Sequence, residues 1–198
     1  MAGPEFILAS ASPRRRDLLL EAGYQFQVVQ PEPVAECGLC TDQGPAALVA
    51  ELAYRKAANV RQRVTSGTVL ACDTVAECQG QILGKPRDRA HARAMLTMLS
   101  GREHRVYSGL CVWRANSALG LDQVARNPDV RVAVTSLRMD TLSEAQLTEY
   151  LDSRAWEGKA GAFGYQDRLG WVHLLEGSPS NVVGLPLELL AEMLHGTA

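Results

Sequence analysis

Four apolar residues, Phe6-Ile7-Leu8-Ala9, run into Ser10-Ala11-Ser12-Pro13 and then into Arg14-Arg15-Arg16. The apolar run reads as a short buried strand. Ser12 suits a helix N-cap, and Pro13 suits the first helical position, where its missing N–H would have no partner. Leu18, Leu19 and Ala22 give the new helix an apolar face, and Gly23 can end it. A strand therefore feeds straight into a helix N-terminus crowded by arginines. The first turn already carries positive partial charge, so cations are disfavoured there unless an anion neutralises them. Free N–H groups, two hydroxyls and forked guanidiniums are what a phosphate needs. The plainer reading is a solvated basic turn on the rim of a core strand.

A chain of 198 residues can bury a real core, and 46% hydrophobic with 21% charged residues is ordinary for a globular protein. The net charge of −2 argues against a broad nucleic-acid surface, which would show as a basic excess. No apolar run approaches membrane-spanning length and no signal-peptide pattern opens the chain, so a soluble, cytoplasmic protein is expected. Five cysteines form no disulfide framework and are read as reduced; Cys37-x-x-Cys40 lacks a second pair at zinc spacing and is read as part of a loop. The four histidines are scattered, and none is given a metal role.

In chain order, residues 24–30 read as a strand and 31–43 as a surface loop. Pro45 opens a long helix to about Val64, with Val49, Leu52, Ala53, Ala57 and Val60 at helical spacing. Lys56 falls on that apolar stripe. It either snorkels to the rim or reaches out of the core to an anion. Thr68 to Cys72 is a buried strand that delivers Asp73 and Thr74 at its C-terminal end, where open α/β sheets bind ligands. A carboxylate there is costly unless paired or bound to metal. Residues 75–83 form a hairpin about Gln79-Gly80-Gln81. Gly84 and Pro86 then fix the backbone around Lys85, more than a solvated lysine needs.

Asp88 caps a helix through Leu99. Residues 104–114, 119–126 and 130–137 follow as strands, and Ser143 with Gln146 is a capping box opening a helix to about Leu151. Gly158 to Gln166 is glycine-rich without a Walker or Rossmann pattern. Its glycines, interleaved with Phe163, Tyr165 and a terminal amide, suit close approach to a planar ligand; the alternative is a tight turn packed by aromatics. Residues 171–175 are a strand, 176–181 a turn, and Pro186 starts the closing helix. No repeat or long linker divides the chain, which reads as one domain over residues 1–198.

Several short blocks, taken together, carry a resemblance. They are Ser10-Ala-Ser-Pro-Arg-Arg15, Lys56-Ala57, Asp73-Thr74, Gly84-Lys85-Pro86, Leu99-Ser-Gly101, Lys159-Ala-Gly-Ala-Phe-Gly-Tyr-Gln166 and Val183-Gly-Leu-Pro186. In this order they resemble the Maf family of nucleoside triphosphate pyrophosphatases. The resemblance implies a mixed α/β, inosine-triphosphatase-like fold: an elongated, bent mixed sheet, helices on both sides, and two lobes around a central cleft. It implies an enzyme, often dimeric, that cleaves a nucleoside triphosphate to monophosphate and pyrophosphate with a divalent cation, Mg²⁺ or Mn²⁺.

Carried over position by position, Asp73 would accept the proton of the attacking water, with Lys56 and Lys85 as its catalytic partners. Ser10, Arg14, Arg15, Thr74 and Gln166 would bind substrate. Asp73 would also hold the metal, with Glu36, or alternatively Glu32, as a second ligand. Arg14, Thr74 and Gln166 are the combination expected of the dTTP/UTP branch. The stretch Glu176 to Asn181 is closer to the 7-methyl-GTP branch, and Gly158 and Asp167 stand where the family pattern has other residues. The rival readings are a 7-methyl-GTP pyrophosphatase, a non-enzymatic septum or growth regulator on the same fold, and a nucleic-acid module using Arg14–Arg16 and Arg61–Arg63. No nucleic-acid or membrane partner is expected.

Overall fold

The computed structural model describes residues 6–36, 43–114, 128–167 and 169–195. The elements are β1 (Phe6–Ala9), α1 (Pro13–Glu21), β2 (Phe26–Val28), α2 (Gly44–Arg61), β3 (Thr68–Cys78), β4 (Gln81–Leu83), α3 (Arg89–Leu99), β5 (Glu103–Trp113), β6 (Asp129–Met139), α4 (Glu144–Asp152), β7 (Val172–Glu176), α5 (Pro179–Val183) and α6 (Leu187–His195). The expected strand at residues 119–126, like Cys37 and Cys40, lies outside the described residues.

Among the described residues the sheet runs β2-β1-β3-β5-β6-β7, with β4 paired to β3. β2, β1 and β3 are parallel and the other pairs antiparallel. The expected break after Cys72 does not occur: β3 runs on through Asp73 and Thr74 to Cys78. β5 pairs with it continuously from Val69 to Glu77. The opposite edge is shared, with β1 covering Thr68 to Ala71 and β4 covering Ala76 to Cys78. Residues 72–75 therefore have no strand on that side. It is β1 that stops, not β3, and Asp73 sits in the gap. The β3–β4 turn is as expected: Gln79 and Gly80 both adopt positive φ, 51° and 79°, which matches the twist of a tight hairpin.

Successive side chains of a strand point to opposite faces. The odd-numbered face of β3 (Val69, Ala71) packs with Ile7 and Ala9 beneath Ala53, Ala57 and Val60 of α2. The even-numbered face carries two separate clusters. Leu70 and Cys72 join Phe6, Leu19, Leu190 and Met193, whereas Ala76 and Cys78 join Leu96, Leu99, Leu137 and Leu151. Thr74 lies between them. Helices thus cover both faces, and the division of the second face makes two lobes.

Local signals place the remaining helices. The Asp88 carboxylate accepts from His91 N, and Ser143 with Gln146 forms the full capping box. Residues 176–181, read as a turn, contain the start of α5, capped by Ser178 with Pro179 in its first turn. Cys72, Cys78 and Cys111 are buried free thiols. Among the described residues no helix is long and apolar enough to cross a membrane.

Candidate active site

Lys56 does not snorkel. Its side chain is 5% exposed, and Nζ bonds to Asp73 Oδ1 at 2.5 Å. This pairing follows from Gly109, the residue that faces Asp73 across the β3–β5 ladder. A Cβ on Gly109 would lie 2.1 Å from the Val49 carbonyl oxygen. A side chain is thus excluded where α2 crosses the sheet, and the helix backbone rests directly on β5. Two turns further along α2, Lys56 meets the carboxylate that the same face presents.

Thr74 points the other way. Its hydroxyl contacts Ser108 Oγ at 2.8 Å and receives Arg15 Nη2 at 3.1 Å. The arginine run splits accordingly. Arg15 is buried and also donates to the Gly184 carbonyl at 2.7 Å and to Ser10 Oγ at 3.3 Å. Arg14 is half-buried and donates to the Gly158 carbonyl at 2.8 Å. Burial, and then the neighbouring Arg15, lower the Arg14 pKa from its ordinary value. Arg16 is exposed and pairs with the adjacent Asp17. Ser12 occupies the N-cap position but makes no side-chain capping bond; its N–H donates instead to Ser10 Oγ at 3.1 Å. The Ser12 hydroxyl is therefore not spent on capping at the cleft. The Cys72 thiol, pushed up by burial, donates to Gly184 O at 3.3 Å.

The Gly184 loop is held from below. Asn181, fully buried, donates to Thr135 Oγ1 at 2.9 Å and to Val106 O at 3.3 Å, and Ser108 Oγ donates to Asn181 O at 3.4 Å. This polar seam, Thr74 to Ser108 to Asn181 to Thr135, runs between the two apolar clusters of the even-numbered face.

The far wall is the glycine-rich segment, two short 3₁₀ turns (Ala160–Ala162 and Tyr165–Asp167) tied to the Lys85 loop by Gly161 N donating to Gly84 O at 3.0 Å. Phe163 is 4% exposed and packs edge-on against His104, ring centroids 5.2 Å apart. The reading of this loop as a turn packed by aromatics therefore describes Phe163, which is committed to the core. Gln166 is exposed at the cleft.

These walls enclose a cleft of about 380 Å³. Ser10, Arg14, Arg15, Lys56, Asp73, Thr74, Lys85 and Gln166 all line it. Glu32 does not. Its carboxylate accepts from Asn59 Nδ2 at 3.2 Å, on an exposed surface. The Glu36 side chain lies outside the described residues. Arg61 and Arg63 donate to the Val64 and Gln30 carbonyls, tying down the end of α2 rather than forming a basic stripe with Arg14–Arg16.

Residues the motif reading did not assign also belong here. Lys159 lines the cleft and binds both oxygens of Asp167, at 2.6 and 2.5 Å, and Asp167 accepts from the Tyr150 hydroxyl at 2.7 Å. Lys159 stood in the glycine-rich block and was available to be found. Tyr150, on a helix seventeen residues from Asp167, carried no local signal.

Among the described residues no three His, Cys, Asp or Glu side chains gather as a protein-only metal cage. Two carboxylate residues line the cleft, Asp73 and Glu157, and Asp73, beside the cleft cations, fits a cation of the Mg²⁺ type, which binds through one or two carboxylates, waters and the phosphates of its substrate.

A mixed sheet with helices on both faces, divided into two lobes over a cleft, defines the class. It is the fold of the Staphylococcus aureus Ham1 protein (TM-score 0.53, 12% identity, 97% of this chain and 98% of that one). A HAM1 protein from Coxiella burnetii shares it (TM-score 0.53, 15% identity, 98% and 100%). Sequence narrows the class further. The Maf-like protein family matches residues 5–197, and the chain belongs to that family. It is 52% identical over 190 residues to a dTTP/UTP pyrophosphatase of Rhodopirellula baltica, covering 96% of this chain and 80% of that one. It is 40% identical over 191 residues to a dTTP/UTP pyrophosphatase of Symbiobacterium thermophilum, covering 96% and 92%.

Proposed function

We propose that this protein hydrolyses dTTP and UTP to the monophosphate and pyrophosphate, as one domain built on the continuous sheet. The observation that carries the reading is convergence. Eight side chains scattered from Ser10 to Gln166 line one cleft, and the carboxylate among them, Asp73, is fixed by Lys56.

The cations on the cleft bind the triphosphate. Arg15 is immobilised by three protein acceptors, so its guanidinium is oriented before substrate arrives. Lys85, exposed on its glycine–proline turn, closes on the phosphates from the other side. Asp73 takes a proton from the water that attacks the α-phosphorus, and the α–β bridging oxygen leaves with pyrophosphate. Positioning and stabilisation of developing charge supply most of the acceleration. Asp73, with Glu36 as the second candidate, would hold a divalent cation, which neutralises phosphate charge when bound. Gln166 offers a donor and an acceptor to the imide edge of thymine or uracil.

The test is product analysis with dTTP, UTP, CTP and 7-methyl-GTP in Mg²⁺. Pyrophosphate from dTTP and UTP is expected. Orthophosphate as the first product would overturn the reaction, and 7-methyl-GTP as the preferred substrate would overturn the base assignment.

A further inference from the structure

Asp167 does not itself line the cleft, yet it controls groups that do. Its two oxygens close on Lys159 Nζ, and the side chains of this pair are 10% and 16% exposed. Tyr150 completes the carboxylate's shell at 2.7 Å. Burial and this bond push the phenol pKa up, so Tyr150 remains a donor at neutral pH. The position a Cβ on Gly164 would take lies 2.5 Å from Lys159 Nζ, 2.7 Å from Asp167 Oδ2 and 2.8 Å from Gln166 Nε2. Three polar groups thus gather over one missing side chain. A lysine held by both oxygens of a shielded carboxylate has two of its three N–H donors committed and its charge neutralised, which makes it a poor phosphate site; Lys56, by contrast, bonds to one oxygen of Asp73. Lys85, exposed on the same cleft between Gly84 and Pro86, has no ion pair among the described residues.

We propose that Asp167 is a specificity-determining positioning residue: by holding Lys159 beside Gln166, it reserves the 158–166 wall for the nucleoside and keeps phosphates off it. The inference rests on the nucleotide reading above and adds to it the residue that separates the two ends of the substrate. The chemistry is electrostatic. Arg14, Arg15 and Lys85 line the cleft with no ion pair among the described residues and supply three positive charges to a triphosphate; a further unpaired cation on the opposite wall would let the polyphosphate bind in a second register.

The experiment compares two ligands on the full chain by isothermal titration in Mg²⁺: inorganic tripolyphosphate and α,β-imido-dTTP. Asp167→Asn keeps an acceptor for Tyr150 and removes the charge. The ratio of the two affinities should shift about tenfold towards tripolyphosphate, the scale of one charged contact. Adding Lys159→Gln should return the ratio to within about threefold of wild type. An unmoved ratio overturns the inference, because a general change in cleft charge strengthens both ligands together and a loosened fold weakens both together. If Asp167→Asn does not fold, Tyr150→Phe carries the same test: a shift in the same direction supports the inference and an unmoved ratio overturns it. A wild-type protein that releases no pyrophosphate from any pyrimidine triphosphate would defeat the functional reading. An active wild type with an unmoved ratio defeats only the role of Asp167.

Discussion

Two lysine–aspartate pairs border the same cleft with the same 2.5 Å separation, Lys56–Asp73 on one wall and Lys159–Asp167 on the other. Their supports differ. Lys56 comes from an eighteen-residue helix and Asp73 from an eleven-residue strand, joined where backbone touches backbone at Gly109. Lys159 precedes one short 3₁₀ turn and Asp167 ends another, joined where side-chain tips crowd over Gly164. Hydrolysis needs its general base placed to a fraction of an ångström, and helices and strands provide that better than loops. A wall of turns and side-chain tips can adjust, which suits reading the base. Under the proposed function, the same pair of residue types serves reaction on one wall and recognition on the other.

The sharpest way to break this contrast is Asp73→Asn. The amide is isosteric and still accepts from Lys56, so the fold should hold. Pyrophosphate release should fall by about 10³-fold or more, the loss typical when a group acting in the transition state is removed. A fall of less than about tenfold would remove the first pair from the reaction. Gly109→Ala attacks the support instead of the carboxylate. Its Cβ would meet the Val49 carbonyl, a backbone group that cannot rotate away. A stability loss of about 3 kcal/mol is expected from urea denaturation, at the upper end for an overpacked site.

The helix–strand wall was largely legible in the sequence because its signals are periodic. Helical spacing put Lys56 on the apolar stripe, and a compact apolar run carried Asp73 to the sheet. The end of that run was misplaced, since only pairing reveals that β1 stops while β3 continues. Asp73 lines the cleft all the same, from a gap in the sheet edge rather than from a strand terminus. The Asp73-Thr74 pair also reads as one unit in sequence, although pleating sends the two side chains to opposite faces. The turn wall was legible only as a motif. Its packing depends on Tyr150, on a separate helix, and on the volume that Gly164 leaves open, and neither leaves a periodic trace. The seam residues Ser108, Thr135 and Asn181 were missed likewise, because a buried polar group is recognisable only from what surrounds it.

The two walls should also differ in acid. His104 supports the turn wall through Phe163, and burial lowers its pKa to about 4 from an ordinary 6.5. The folded protein resists this proton and the unfolded chain accepts it. The stabilisation from neutral His104 is therefore complete above pH 6.5 and is lost as pH falls towards 4. The loss is at most about 3 kcal/mol, from about 1.4 kcal/mol per pKa unit. His104→Phe should remove this contribution and flatten the fall in urea midpoint between pH 7.5 and 5. An unchanged slope would separate the turn wall from acid sensitivity.

Gly164→Ala is the smallest and most discriminating change. Its new methyl would press on Lys159 Nζ, Asp167 Oδ2 and the Gln166 amide, all at the ends of side chains that can turn. At Gly109 the obstacle is backbone; here it is movable. Stability should fall by only about 1 kcal/mol, well short of the Gly109→Ala loss. The dTTP:CTP ratio of kcat/KM should nonetheless shift several-fold, since the displaced amide is the one assigned to the base. A large stability loss with an unchanged nucleotide ranking would reverse the contrast, making the turn wall the rigid frame and removing Gln166 from recognition.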